Sequence, residues 1–146
     1  MMNPLKSLPL LVCLLAVPMA RAADAPKVPA PHGEKPPLAK TVKNVGVEEF
    51  AKMVHAKTNV VLDVRTAKEF AAGHIAGAVN LDFNAPDFGT KVGELDKTKT
   101  YLVHCAGGVR SAKACSQMRQ LNFTNLVNLE PGFKGWEKAG QPVEKK

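Results

Sequence analysis

Tyr101-Leu-Val-His-Cys-Ala-Gly-Gly-Val-Arg-Ser111 decides how this chain folds. A short apolar run ends at Cys105, two glycines follow, and Arg110 closes the loop before a helix-like segment. The run reads as a strand that delivers Cys105 to the edge of a sheet. Gly107 and Gly108 let backbone N–H groups turn inward around the sulfur, and the start of the next helix sets a partial positive charge beneath it. Each feature favours thiolate over thiol, and thiolate is the reactive form. Cys105 is therefore the candidate nucleophile.

Strand and helix patterns alternate on both sides of this loop. Val47, Phe50, Met53 and Val54 recur at helical spacing between Glu48, Glu49 and Lys52. Val60-Val-Leu-Asp-Val64 is a β-branched run suited to a strand buried on both faces. Thr66-Ala-Lys-Glu69 is a capping box that opens a short helix, for which Gly73 is a left-handed stop. Ala78-Val-Asn-Leu81 is a further strand, and residues 82–96 hold one more helix or ordered turns. After the loop, Ala112, Cys115, Met118 and Leu121 share a helical stripe; a strand at Leu126-Val-Asn-Leu129 and a last helix from Gly132 to Ala139 follow. This alternation points to an α/β layer sandwich with a mainly parallel sheet. Sites in such sheets form at the carboxyl ends of strands. Asp63-Val-Arg65 and His104-Cys105 both end strands there, which predicts a shared cleft.

Residues 1–22 read as a secretory signal peptide: Lys6, a charge-free apolar run of 12 residues from Leu8 to Met19, then Ala20-Arg-Ala22, with cleavage after Ala22 or Ala23. A membrane span needs roughly 20 apolar residues, and Pro9 and Pro18 interrupt this run. Residues 23–40, with five prolines among Ala, Lys and Glu, read as an extended linker. One domain, residues 41–146, remains. The expected location is outside the cytoplasm, in a bacterial periplasm, with no membrane attachment after cleavage.

The chain carries 20 Lys and Arg against 13 Asp and Glu; Lys6 and Arg21 lie in the signal segment, which leaves 18 against 13. The lysines are scattered and there is one Tyr and one Trp, a pattern that excludes a nucleic-acid stripe and suits small anionic partners. Cys105 and Cys115 survive maturation. With 109–120 helical, the two are expected about 15 Å apart along this segment, beyond the ~7 Å reach of a disulfide. Cys115 reads as a buried apolar residue. No Cys-x-x-Cys or His-x-x-x-His spacing occurs, so no metal is expected.

Four residues separate Cys105 from Arg110. Tyrosine-phosphatase-like loops have five, a wider cradle for tetrahedral phosphate; here that position is Ser111. The shorter loop suits one extra sulfur on the cysteine. Three blocks carry a resemblance: Asp63-Val-Arg-Thr-Ala-Lys-Glu-Phe-Ala-Ala-Gly-His-Ile-Ala-Gly-Ala-Val-Asn80, Cys105-Ala-Gly-Gly-Val-Arg110 and Pro131-Gly-Phe-Lys-Gly-Trp136. Together they resemble a single-domain rhodanese, of the exported phage-shock type.

The resemblance implies a three-layer α/β/α sandwich around a central, mainly parallel five-stranded sheet, and a sulfurtransferase without cofactor. Cys105 would take the outer sulfur of a small anionic donor such as thiosulfate and pass it to cyanide, a thiol or a protein acceptor in two steps. The N–H groups of Ala106, Gly107, Gly108, Val109 and Arg110 would cradle that sulfur. Arg110 either contacts the donor or braces the loop through Asp63 or Glu69. Asp63 and Arg65 are expected as a buried ion pair supporting the loop, His104 and His74 as structural residues, and Trp136 as core. Members that prefer thiosulfate often carry basic residues after the cysteine; here Ala106 and Gly107 stand there. That departure leaves open a persulfide carrier or a binding module for a partner protein. An arsenate reductase or phosphatase is disfavoured by the loop length.

Overall fold

Val60–Asp63 (β2) and Tyr101–His104 (β5) lie side by side in parallel, Val60 opposite Tyr101 and Asp63 opposite His104, so both expected chemical segments leave the sheet at one edge. The computed structural model describes residues 42–145; the expected signal peptide and linker lie outside the described residues. The elements in chain order are β1 (Val42–Val45), α1 (Val47–His55), β2, α2 (Ala67–Ala72), β3 (His74–Ile75), β4 (Val79–Asn80), α3 (Phe88–Gly93), β5, α4 (Val109–Gln120), β6 (Leu126–Leu129), α5 (Gly132–Lys138) and β7 (Val143–Glu144). Five strands form a parallel sheet in the order β1-β6-β5-β2-β4, and β3 pairs antiparallel with β7.

Alternation along the strands divides the interior into two layers. Leu62, Tyr101, Val103 and Leu126 face α3 and α4, where they meet Phe88, Val92, Ala114, Cys115 and Met118. Val61, Leu102, Val127 and Leu129 face α1 and α5, where they meet Phe50, Ala51, Phe133 and Trp136. The three-layer α/β/α sandwich with a five-stranded sheet is thus the architecture. Among the described residues no helix is long and apolar enough to cross a membrane.

Two local expectations are corrected, and one strand is new. Gly73 does not stop α2 in the left-handed region; it is extended at φ 161°, ψ 139°, and the chain passes straight into β3. What it supplies is room, since a Cβ there would stand 3.0 Å from Val143 of β7. Ala112 is exposed; the buried stripe of α4 runs through Ser111, Ala114, Cys115 and Met118 instead. Finally, β1 was not expected: Lys43 and Asn44 are the polar positions of an edge strand that pairs only with β6.

Candidate active site

Cys105 follows β5 directly and is 1% exposed, in the apolar layer beneath α4. The loop that holds it is shaped from outside. Gly108 is the N-cap of α4 in the left-handed conformation, φ 88°, and α4 starts without a side-chain cap, so its first N–H groups are free for the sulfur. The Gly108 N–H donates to Cys105 Sγ at 3.1 Å. Ser111 Oγ stands 3.5 Å from Sγ and donates to the Gly108 carbonyl at 2.9 Å. A hydroxyl has one proton; with it on Gly108, the Ser111 oxygen is left to accept from the Cys105 thiol, and rotation turns the proton toward a thiolate.

Burial pushes the Cys105 thiol up, but the Ser111 hydroxyl and the N–H groups of Ser111, Gly107 and Gly108 outweigh it, so the pKa lies below that of an ordinary cysteine. Cys115, buried on the same face and repelled by Cys105, is pushed up to about 12. The expected cradle of residues 106–110 is therefore centred on Gly107, Gly108 and Ser111. Ala106 gives its carbonyl to the Lys134 N–H at 3.0 Å, and Val109 stands 67% exposed on the rim.

The first turn of α5 fixes the back of the loop. The Phe133 N–H donates to the Cys105 carbonyl at 2.7 Å, and Lys134 holds Ala106. With their carbonyls drawn outward, the peptide units present N–H groups inward. Gly132 (φ 60°) permits this approach, since a Cβ there would lie 2.6 Å from Gly107 N. These backbone donors, and Ser111, were missed from sequence; the nearest signal was the position of the Pro131–Trp136 block.

Arg65 braces this region from below. Its Nε and Nη2 bind the Asp63 carboxylate at 2.7–3.0 Å, Nη2 also donates to the Gly73 carbonyl at 2.7 Å, and the guanidinium lies 3.9 Å from the Phe133 ring centroid. Asp63 and Arg65 are both buried, as the ion-pair reading expects. Arg110 reaches Glu69 rather than Asp63, with Nη1 to Oε2 at 3.0 Å and Nη2 to Oε1 at 2.8 Å. Glu69 completes the capping box of α2 with Thr66, so one carboxylate ties the loop to that helix. The Arg110 guanidinium, against partial burial and with help from Thr66, lowers the Glu69 pKa to about 2.

His104 points to the opposite side of the sheet from Cys105, between Phe50 and Phe133. Neither ring nitrogen has a hydrogen-bond partner, and Nε2 is 3.7 Å from Asp63 Oδ2. Burial lowers its pKa to about 4, with Asp63 opposing and Arg65 reinforcing. His74 stacks on Phe70 at 3.9 Å, with Nδ1 3.0 Å from the Phe70 carbonyl oxygen. Among the described residues no group of three or more His, Cys, Asp and Glu could hold a metal ion.

Two predictions arise here. A Cβ at Gly108 would lie 2.0 Å from the Glu130 carbonyl oxygen, in a left-handed backbone. Gly108→Ala is expected to destabilise the domain by at least about 2 kcal/mol. It should slow reaction at Cys105 by roughly 10–100-fold through misplacement. Gly107, with open space around its Cα, should accept alanine at little cost; urea melts and thiol-labelling rates of the pair check this. The second concerns pH. Folded His104 stays neutral down to about pH 4, whereas the unfolded chain takes up that proton near its ordinary 6.5. The unfolded state thus binds more protons between these values, and stability falls as pH drops from 6.5 to 4, by on the order of 3 kcal/mol. Glu69, its pKa depressed, adds a loss below pH 4.5. Urea midpoints measured from pH 7 to 4.5 should decline, and His104→Leu should flatten the decline above pH 5.

Fold and loop together define a parallel α/β protein with a cysteine of lowered thiol pKa at the carboxyl edge of its sheet. The model of the rhodanese-like domain matches residues 46–139, and the chain belongs to that family. It is 30% identical over 97 residues to thiosulfate sulfurtransferase GlpE of Shewanella oneidensis, covering 66% of this chain and 94% of that one. It is 32% identical over 93 residues to the chloroplastic thiosulfate sulfurtransferase 16 of Arabidopsis thaliana, covering 57% and 78%. The crystal structure of a rhodanese-related protein from Thermoplasma volcanium superposes with a TM-score of 0.64 at 30% identity, over 71% of this chain and 99% of that one.

Proposed function

We propose that this protein is a sulfurtransferase that carries sulfane sulfur as a persulfide on Cys105. The observation that carries the reading is the convergence of Gly107, Gly108 and Ser111 on Sγ within a loop of four residues before Arg110. The thiolate attacks the outer sulfur of a donor; a new S–S bond forms and the donor's remainder leaves with the electron pair. The terminal sulfur then bears the negative charge, and inward N–H groups are suited to hold it. A thiol or cyanide removes the sulfur and regenerates the thiolate. Purified protein given thiosulfate and cyanide should form thiocyanate, and the Cys105 peptide should gain the mass of one sulfur. No gain with any sulfane donor overturns the reading.

The neutral Ala106-Gly107 pair favours one second reading, a persulfide carrier that serves a partner protein and turns over small donors poorly. We further propose that the protein is an exported, phage-shock-type member that works in the periplasm. Residues 1–22 support this, and N-terminal sequencing of the protein from fractionated cells tests it.

A further inference from the structure

A cavity of about 430 Å³ opens on the other face of the sheet from Cys105. Its size falls within the roughly 300–1,000 Å³ that small-molecule sites occupy. Val54 near the end of α1, Val61 of β2, Ile75 of β3, Trp136 of α5 and Pro142 before β7 line it. Val61 stands near the amino end of β2, whereas Cys105 follows the carboxyl end of the parallel neighbour β5. The chemistry read at Cys105 uses none of these residues.

The walls and the rim differ in character. Trp136 donates its one N–H to the Pro142 carbonyl at 2.8 Å, so the indole meets the cavity as hydrocarbon. Asn59, also on the wall, donates Nδ2 to the Met53 carbonyl at 2.8 Å. Val54, Val61, Ile75 and Pro142 carry no polar side-chain atom, so a polar group seated against them would lose its water without a partner. The interior therefore suits an aliphatic body. At the rim stand His55 and Lys57, both exposed, and neither is ion-paired among the described residues. No acid lines the cavity; Glu144 of β7 accepts from the Gly77 N–H at 3.4 Å and stands 3.8 Å from His74 Nε2. Lys57 is held at φ 53°, just past the C-cap Ala56 of α1, where glycine is the easier residue. An apolar chamber thus ends at a positive rim.

We propose that this cavity binds a medium-chain fatty-acid carboxylate, its acyl body against Val61, Ile75 and Trp136 and its carboxylate at Lys57 and His55. Burial of the chain supplies the affinity, and the rim selects the sign of the head group. The site stands apart from sulfur transfer and does not depend on that reading of Cys105.

Trp136 is the one tryptophan of the chain and lines the cavity, so its fluorescence reports occupancy. The full chain is titrated at low ionic strength with octanoate, octanol and octylamine, each below its micelle range. Octanoate is expected to shift Trp136 emission saturably and to bind at least about fivefold more tightly than either of the others. Lys57→Gln should bring octanoate close to octanol, and Ala76→Leu, which adds bulk at the wall, should weaken octanoate by at least about tenfold. Lys57 also lies where a cation favours the carboxyl end of α1. If that were its whole role, Lys57→Gln would lower the melting temperature and leave octanoate affinity unchanged, and this result overturns the proposal. So does octanol or octylamine binding as tightly as octanoate, or no saturable response to octanoate. None of these readouts involves sulfur, so each leaves the reading of Cys105 where it stands.

Discussion

Cys105→Ser is expected to keep the fold and lose sulfur uptake, with thiocyanate formation down by at least about a thousandfold. Serine fits the space of a cysteine that is 1% exposed, and its hydroxyl can accept the Gly108 N–H that now meets Sγ at 3.1 Å. Burying that hydroxyl with a partner costs about 1 kcal/mol. What it lacks is a low-pKa sulfur, and the N–H groups around it have no thiolate to favour. Unchanged circular dichroism with no sulfur adduct is the expected pair of results; residual loading would place the acceptor sulfur elsewhere. Cys115→Ala serves as the control and should retain loading, because Cys115 is inert at a pKa of about 12.

Asp63→Ala is expected to be the most destabilising single change away from the loop, at about 3–5 kcal/mol. The cost arises less from the lost pair than from what stays behind. The Arg65 side chain is 5% exposed, and without the carboxylate its charge keeps only the Gly73 carbonyl and the face of Phe133. The total stability of a small domain is of the order of 5–15 kcal/mol, so this variant approaches the unfolding threshold. Because Arg65 lies against Phe133, and Phe133 holds the Cys105 carbonyl, labelling of Cys105 should slow as well. Replacing both residues, Asp63→Leu with Arg65→Met, removes the orphaned charge and should recover much of the loss in urea denaturation. A single-variant loss below about 1 kcal/mol would mean that the pair does not support the loop.

Much of this was legible where the determining interactions are local. The capping box at Thr66 and Glu69 depends on residues three apart, and both of its hydrogen bonds are present. The opposite orientation of His104 and Cys105 is likewise local, a consequence of strand pleating between adjacent residues. Pairings set by distant residues were not legible: β3 and β7 have two residues each, and Ile75 meets Val143 only through the tertiary fold. β1 gave no strand pattern because an edge strand keeps polar residues such as Lys43 and Asn44. In the site, Ser111 counted only as the position that would widen the loop, since its approach to Sγ depends on how α4 is rotated. The N–H groups of Phe133 and Lys134 have no side-chain signature at all.

If Cys105 carries sulfur as proposed, the placement of Cys115 also sets how long that sulfur can be stored. A persulfide next to a second thiolate collapses to a disulfide and expels sulfide. Here the second thiol is sealed on the buried face of α4, and its pKa of about 12 keeps it protonated at every physiological pH. On the proposed reading, a sulfur held on Cys105 thus meets no reactive thiol among the described residues, and its lifetime passes to whatever molecule enters from outside.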